Sequence, residues 1–376
     1  MQIESIKAGK IKDSRGQPAI EVSVNGCRAS SPSGKSTGKY ETPSYHQNLE
    51  WNIQAIKKLN IQFEINSFND LEKIEDLLKK SFNLKDVKQF GANALFALES
   101  AILKALAKSQ KKELWQIINP KASKISIPVG NAIGGGLHSH QENKPVFQEF
   151  LLIPRGKSAK ENVEIMQEVY KKIGSVIKSK KVNDEGAWET SFDEEIILSI
   201  LANYKDKIDI GIDVAASEFY KNEKYLYKEI FLRKEQQIEK INYLISKYDL
   251  FYIEDPLQEE DFSGFSLISK KNLVVGDDLT ATHISRLKKA IKDNSINAII
   301  IKPNQNGSLL ELAEIFKLCK KHNIRTILSH RSGETLDSAL TDYAFGFQAD
   351  FIKCGIATKW REVKLKRLIE IEKMTK

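Results

Sequence analysis

The chain has 376 residues, 41% of them hydrophobic and 29% charged, with 58 Lys+Arg against 50 Asp+Glu and a net charge of +8. That apolar share is ample for a sizeable core, and no apolar stretch approaches the roughly 20 residues of a membrane span. The lysines are spread along the chain without aromatic interleaving, so the positive charge reads as a solvated surface and not as a nucleic-acid-binding face.

The pattern predicts strands over residues 3–11 and 19–24, joined by the turn Asp13-Ser14-Arg15-Gly16. Residues 30–41 form a Ser/Gly/Thr-rich loop, and helical periodicity follows over 49–59, 70–82 and 92–109, the last opening after Gly91 and rich in Ala and Leu. Strands first and helices after predict a small α+β domain over residues 1–124. Pro128 and Gly134-Gly135-Gly136 mark entry to a second domain, residues 125–376. Met1-Gln2-Ile3-Glu4 lacks the basic and apolar regions of a signal peptide. Cys27, Cys319 and Cys354 are too scattered for a zinc site or a disulfide framework, so a reducing cytoplasm is the expected compartment.

In the second domain, apolar runs end on a polar residue again and again. They end on Asp213, Glu254, Asp277, Lys302 and His330, with Arg331 next, and a shorter run ends on Lys353. The steps fit one strand, one helix and two short loops each, which predicts a parallel α/β barrel with its chemistry at the C-terminal strand ends. Three carboxylates converging there would repel one another without a cation, and an all-oxygen set suits Mg²⁺. Lys302 follows four apolar residues, so desolvation and a nearby cation are expected to lower its pKa and make it a usable base; a structural ion pair to one of the carboxylates is the competing reading. Glu149, Glu185 and the loop residue His138 are candidate acids, or plain surface groups. Ser33-Gly34-Lys35-Ser36-Thr37 falls short of a P-loop, because position 29 is Ala and not Gly. Its hydroxyls and backbone N–H groups still suit a phosphate.

Segment by segment, the chain resembles the enolase (phosphopyruvate hydratase) family from end to end. The matching segments include Asp13-Ser14-Arg15-Gly16, Gln148-Glu149-Phe150, Asp184-Glu185-Gly186, Asp213-Val214-Ala215-Ala216-Ser217-Glu218, Glu254-Asp255-Pro256, Gly276-Asp277-Asp278-Leu279-Thr280, Lys302-Pro303-Asn304-Gln305 and Ser329-His330-Arg331-Ser332-Gly333-Glu334-Thr335. The resemblance implies an N-terminal α+β capping domain on an eight-stranded barrel whose first units are irregular. It implies reversible dehydration of 2-phospho-D-glycerate to phosphoenolpyruvate with two Mg²⁺ ions. Asp213, Glu254 and Asp277 match ligands of the tightly held ion, and Ser36 matches a loop serine that helps hold the second. Lys302 matches the base at C2, and Glu185 the acid at the C3 hydroxyl, with Glu149 and His330 beside it. Arg331 and Ser332 match phosphate-binding positions, Lys353 the lysine on the substrate carboxylate, His138 a closing-loop histidine and Gln148 a substrate contact. A homodimer or higher homo-oligomer is implied, with Glu21 in a strand suited to the interface. A paralogue acting on another phosphorylated acid, or a non-catalytic scaffold, is the alternative.

Several positions depart from the family pattern. His140, Gln141 and Glu142 replace small residues after His138, and Lys35 replaces one in the serine loop. Ala187 and bulky Trp188 follow Asp184-Glu185-Gly186, and Leu336 replaces an acid. The chain also ends at Lys376 without the usual tail, and its pI of about 9.0 is high.

Overall fold

A computed structural model describes residues 1–35 and 38–376. Three antiparallel strands open the chain, β1 (Ile6–Lys12), β2 (Pro18–Val24) and β3 (Cys27–Ser30). Helices Leu49–Lys57, Leu71–Phe82 and Ala92–Ser109 follow. The last is apolar nearly all round and is buried on almost every side, as such a helix must be. Gly91 starts it at φ +101°, where a Cβ would lie 2.4 Å from the Tyr45 Cα; only glycine fits.

Eight strands then close a barrel in the order β4 (Ile127–Gly134), β5 (Glu149–Pro154), β7 (Ile208–Asp213), β11 (Tyr252–Glu254), β12 (Leu273–Gly276), β13 (Ala298–Ile301), β14 (Arg325–Ser329) and β15 (Phe351–Lys353), with β15 paired back to β4. The two-residue β6 (Trp188–Glu189) flanks β4, and β8 (Tyr220–Lys221), β9 (Lys224–Tyr227) and β10 (Ile230–Leu232) form a small antiparallel sheet after β7.

The six strands from β7 to β15 run parallel, as the strand–helix spacing predicts, and the irregularity that the resemblance implies falls at the start of the barrel. Strand β5 runs antiparallel to both neighbours. Only a single 3-10 turn, Gly136–His138, lies between β4 and β5. Without a helical crossover the chain cannot return to start a parallel strand. The reversal puts the first residue of β5, Glu149, level with the last residue of β7, Asp213.

An apolar layer fills the barrel, including Val129, Leu151, Tyr252, Val275, Ile300, Ile327 and Phe351. Strand side chains alternate between faces. Two residues on from Tyr252, Val275, Ile300 and Phe351, the next inward positions are Glu254, Asp277, Lys302 and Lys353. The site is therefore the polar lid of the same column that forms the core.

The N-terminal elements lie against this mouth. Ser33 and Gly333 form a two-way backbone bridge at 2.8 and 2.9 Å. The Ser14 N–H donates to the Glu334 carbonyl at 2.8 Å, and Lys104 pairs with Asp337 at 2.6 Å. Bulky Trp188 stacks on Tyr170 and occupies the space a side chain at Gly174 would need.

Candidate active site

All the described candidate residues except Glu254 line one cleft at the barrel mouth. Glu254 lies deeper and is fully buried. Ser36 falls outside the described residues, so its expected place at the second ion has no structural counterpart here.

Two lysines hold the acidic end of the cleft. The Lys353 ammonium lies 2.9 and 2.8 Å from the two oxygens of Glu254, 2.8 Å from Glu149 Oε2 and 3.7 Å from Asp213 Oδ2. Lys302 pairs with Asp277 Oδ2. Gln148 donates to Asp213 Oδ2 at 3.1 Å. Burial pushes the Asp213 carboxyl up to about 7, and Glu149 and Asp277 add repulsion against the pull of Lys353. Burial and then Asp213 push Glu254 up to about 8. Such a cluster calls for positive charge. Asp277 Oδ1 is buried without a hydrogen-bond partner, and the donor set is all oxygen, so these residues fit a divalent cation.

The acidic atoms that converge most closely are not that triad. Asp255, Asp277 and Asp278 form one group with ligand atoms within 4.8 Å, and His138, Glu149 and Glu185 form another. Asp255 is already engaged, since its two oxygens accept the backbone N–H groups of Asp277 and Asp278 at 3.0 and 2.7 Å. It sits at φ +40°, a strained position for a non-glycine residue. These bonds tie the Asp277 segment to Asp255 and leave the carboxylates of Asp277 and Asp278 in the group.

Neighbouring charges oppose burial at Lys302 and at Glu185. The ion pair named as the competing reading for Lys302 is present, with Asp277 as its partner. Burial pushes the Lys302 pKa down, but the attraction of Asp277 outweighs burial and holds the ammonium protonated. At Glu185 the balance also favours the charged form. Burial favours its neutral form, but His138 and Arg361 overcome this and bring it to about 2. Burial would lower His138, yet Glu185 and Glu149 raise it overall. His138 Nδ1 is 3.3 Å from Glu149 Oε1. His330, whose Nε2 lies 3.9 Å from Glu185 Oε2, is kept neutral by burial and by Arg361.

At the other end of the cleft, Arg331 Nη2 contacts both oxygens of Glu41 at 3.1 and 2.8 Å. The Ser332 hydroxyl accepts the Lys35 N–H at 2.7 Å. Lys35 Nζ also reaches the Leu137 carbonyl at 3.2 Å and Asp184 Oδ2 at 3.7 Å, joining three loops over the cleft. Sequence reasoning missed Glu41, Asp255 and Arg361. Glu41 was within the serine loop, but nothing local says that its partner lies at Arg331.

Comparison with known proteins decides what this constellation belongs to. Two family descriptions match: Enolase, N-terminal domain, over residues 3–118, and Enolase, C-terminal TIM barrel domain, over residues 122–375. The chain belongs to the enolase family. It is 36% identical to the enolase of Methanocorpusculum labreanum over 400 residues, covering 99% of each chain. It is 34% identical to the enolase of Archaeoglobus fulgidus, covering 100% of this chain and 98% of the relative. It is also 34% identical to the enolase of Ehrlichia ruminantium, covering 100% and 97%. As a member it is a hydro-lyase of the phosphopyruvate hydratase type with the enolase fold. The full-length match does not favour a shifted substrate or a scaffold role. No helix among the described residues is long and apolar enough to cross a membrane.

Proposed function

We propose that the cleft interconverts 2-phospho-D-glycerate and phosphoenolpyruvate, with residues 1–124 as a cap on a catalytic barrel of residues 125–376. A lysine base acting beside Mg²⁺ is the established chemistry of the enolase superfamily. The observation that carries the assignment here is the pairing of Lys302 and Lys353 with Asp277, Glu254 and Glu149, which sets two cations against the carboxylates of one buried cluster.

In this reading Lys302 removes the C2 proton, leaving a second negative charge on the substrate carboxylate. Lys353 offsets that charge at close range in a water-poor site. Bound Mg²⁺, held by Asp213, Glu254 and Asp277 with a second ion at Ser36, would supply positive charge that frees both lysines from these carboxylates and further stabilises the developing charge. The C3 hydroxyl then leaves as water, taking its proton from the Glu185, Glu149 and His138 group, with His330 and Gln148 alongside. Arg331 and Ser332 hold the phosphate, so that binding energy away from the reacting carbon aligns C2 with the base. We further propose a cytoplasmic homodimer with Glu21 at its interface; within the chain Glu21 Oε1 lies 3.7 Å from Arg28.

The test is phosphoenolpyruvate absorbance after mixing the protein with 2-phosphoglycerate, with Mg²⁺ or with a chelator. Turnover only with Mg²⁺ supports the reading. No turnover while Mg²⁺ still binds would move the assignment to another phosphorylated acid.

A further inference from the structure

Glu254 is held from two sides. Lys353 reaches it from the cleft, and from the barrel interior the Tyr252 hydroxyl donates to Glu254 Oε2 at 2.6 Å. Residues two apart on a strand share a face, so the ring stands directly beneath the carboxylate. Tyr252 is fully buried, and its neighbours in the interior layer include Val129, Leu151, Val275 and Ile300. None of these four side chains offers an acceptor, so the hydroxyl turns to the carboxylate. On the adjacent strand β7 the residue level with Tyr252 is Gly211. A Cβ at Gly211 would stand 3.1 Å from the Tyr252 Cβ and 3.0 Å from the Ile153 Cδ1. A bare backbone on one strand thus makes room for a large ring on the next.

We propose that Tyr252 is a positioning residue for Mg²⁺ binding, its hydroxyl fixing one oxygen of Glu254 so that the carboxylate meets the ion in a single orientation. The inference rests on Glu254 being an Mg²⁺ ligand. The last torsion of a glutamate is broad, so a carboxylate without a fixed donor samples many orientations that binding must then exclude. Partners that orient a ligand in this way commonly change metal affinity by about 10- to 100-fold. Tyrosine suits the position because its ring satisfies the apolar layer while its hydroxyl reaches the polar lid. Phenylalanine would pack but not orient.

The test is Mg²⁺ calorimetry on the full chain, comparing the wild type with Tyr252→Phe and Glu254→Gln, with melting temperatures measured alongside. Tyr252→Phe removes one oxygen and keeps the ring. It is expected to weaken Mg²⁺ about tenfold or more, while KM for 2-phosphoglycerate at saturating Mg²⁺ stays near the wild-type value. Unchanged Mg²⁺ affinity in Tyr252→Phe, with Glu254→Gln impaired, would overturn the role of Tyr252 and leave Glu254 as a ligand. A lower melting temperature with unchanged Mg²⁺ affinity would likewise reduce the hydroxyl to a packing element. Wild-type affinity in Glu254→Gln would remove the ligand itself, and the inference with it.

Discussion

The Lys353 ammonium lies 2.9 and 2.8 Å from the two carboxylate oxygens of Glu254, at a depth where neither side chain meets solvent appreciably. Burial pushes the lysine pKa down, but Glu149, Glu254 and Asp213 hold it well above the usual range. The charge is retained because it is surrounded by carboxylates.

Lys353→Met should therefore leave buried carboxylates without their partner. Breaking a buried pair in this way costs about 3–5 kcal/mol. Urea unfolding should show that loss, and added Mg²⁺ should stabilise the variant more than the wild type, because the ion replaces the missing charge. Equal Mg²⁺ stabilisation of both proteins would mean that ion and lysine do not share the site.

Arg331 and Glu41 are nearly buried together, with side chains 5% and 9% exposed. If Arg331 holds the phosphate as proposed, the phosphate competes with Glu41 for the guanidinium. Glu41→Gln removes the competing charge and should tighten inorganic phosphate several-fold, as read by calorimetry. Weaker binding would show instead that Glu41 holds Arg331 in its phosphate-binding pose.

The contact between the cap and the barrel should weaken in acid. Burial pushes Asp337 up, but Lys104 and the N–H groups of Ala339 and Ser30 bring it below the usual carboxylate range. A folded-state value below the unfolded one contributes stability above the unfolded pKa of about 3.9. That stability is lost as pH falls through the folded value. Urea midpoints measured down the acid limb should fall less steeply for Asp337→Asn than for the wild type; parallel limbs would exclude Asp337 as a source of the acid sensitivity.

Gly333 is where the barrel meets the serine loop. A Cβ there would lie 2.1 Å from Asp13 Oδ2 and 2.7 Å from Ser33 Oγ, which are themselves hydrogen-bonded. Gly333→Ala should cost about 1–3 kcal/mol, as overpacking does. It should also raise KM for 2-phosphoglycerate, since the displaced loop carries the Lys35 N–H bonded to Ser332. An unaltered KM would uncouple this contact from substrate binding.

Much of this was legible in the chain because strand geometry writes it there. An inward apolar residue followed two positions later by an inward polar one marks a strand that ends at the site, and Val275 with Asp277 and Ile300 with Lys302 read that way. Glu149 breaks the rule because β5 is reversed, so the polar residue comes before the apolar run. Glu41 and Asp255 were silent because their partners are remote; Glu41 meets a residue 290 positions away. For the same reason the sequence leaves open whether Lys302 is a base or the ion-pair partner of a carboxylate. Desolvation can be read from flanking residues, whereas the opposing charges of Asp277 and His138 arrive only with the fold.

The most direct measurement is solvent exchange at C2. 2-Phosphoglycerate deuterated at C2 is incubated with Mg²⁺ and the wild type, Lys302→Ala or Glu185→Gln, and proton return at C2 is followed by NMR beside phosphoenolpyruvate formation. The wild type should show both, Lys302→Ala should lose both by about 10²–10⁴-fold, and Glu185→Gln should lose product formation while keeping exchange. Exchange at the wild-type rate in Lys302→Ala would contradict the assignment of Lys302 as the base.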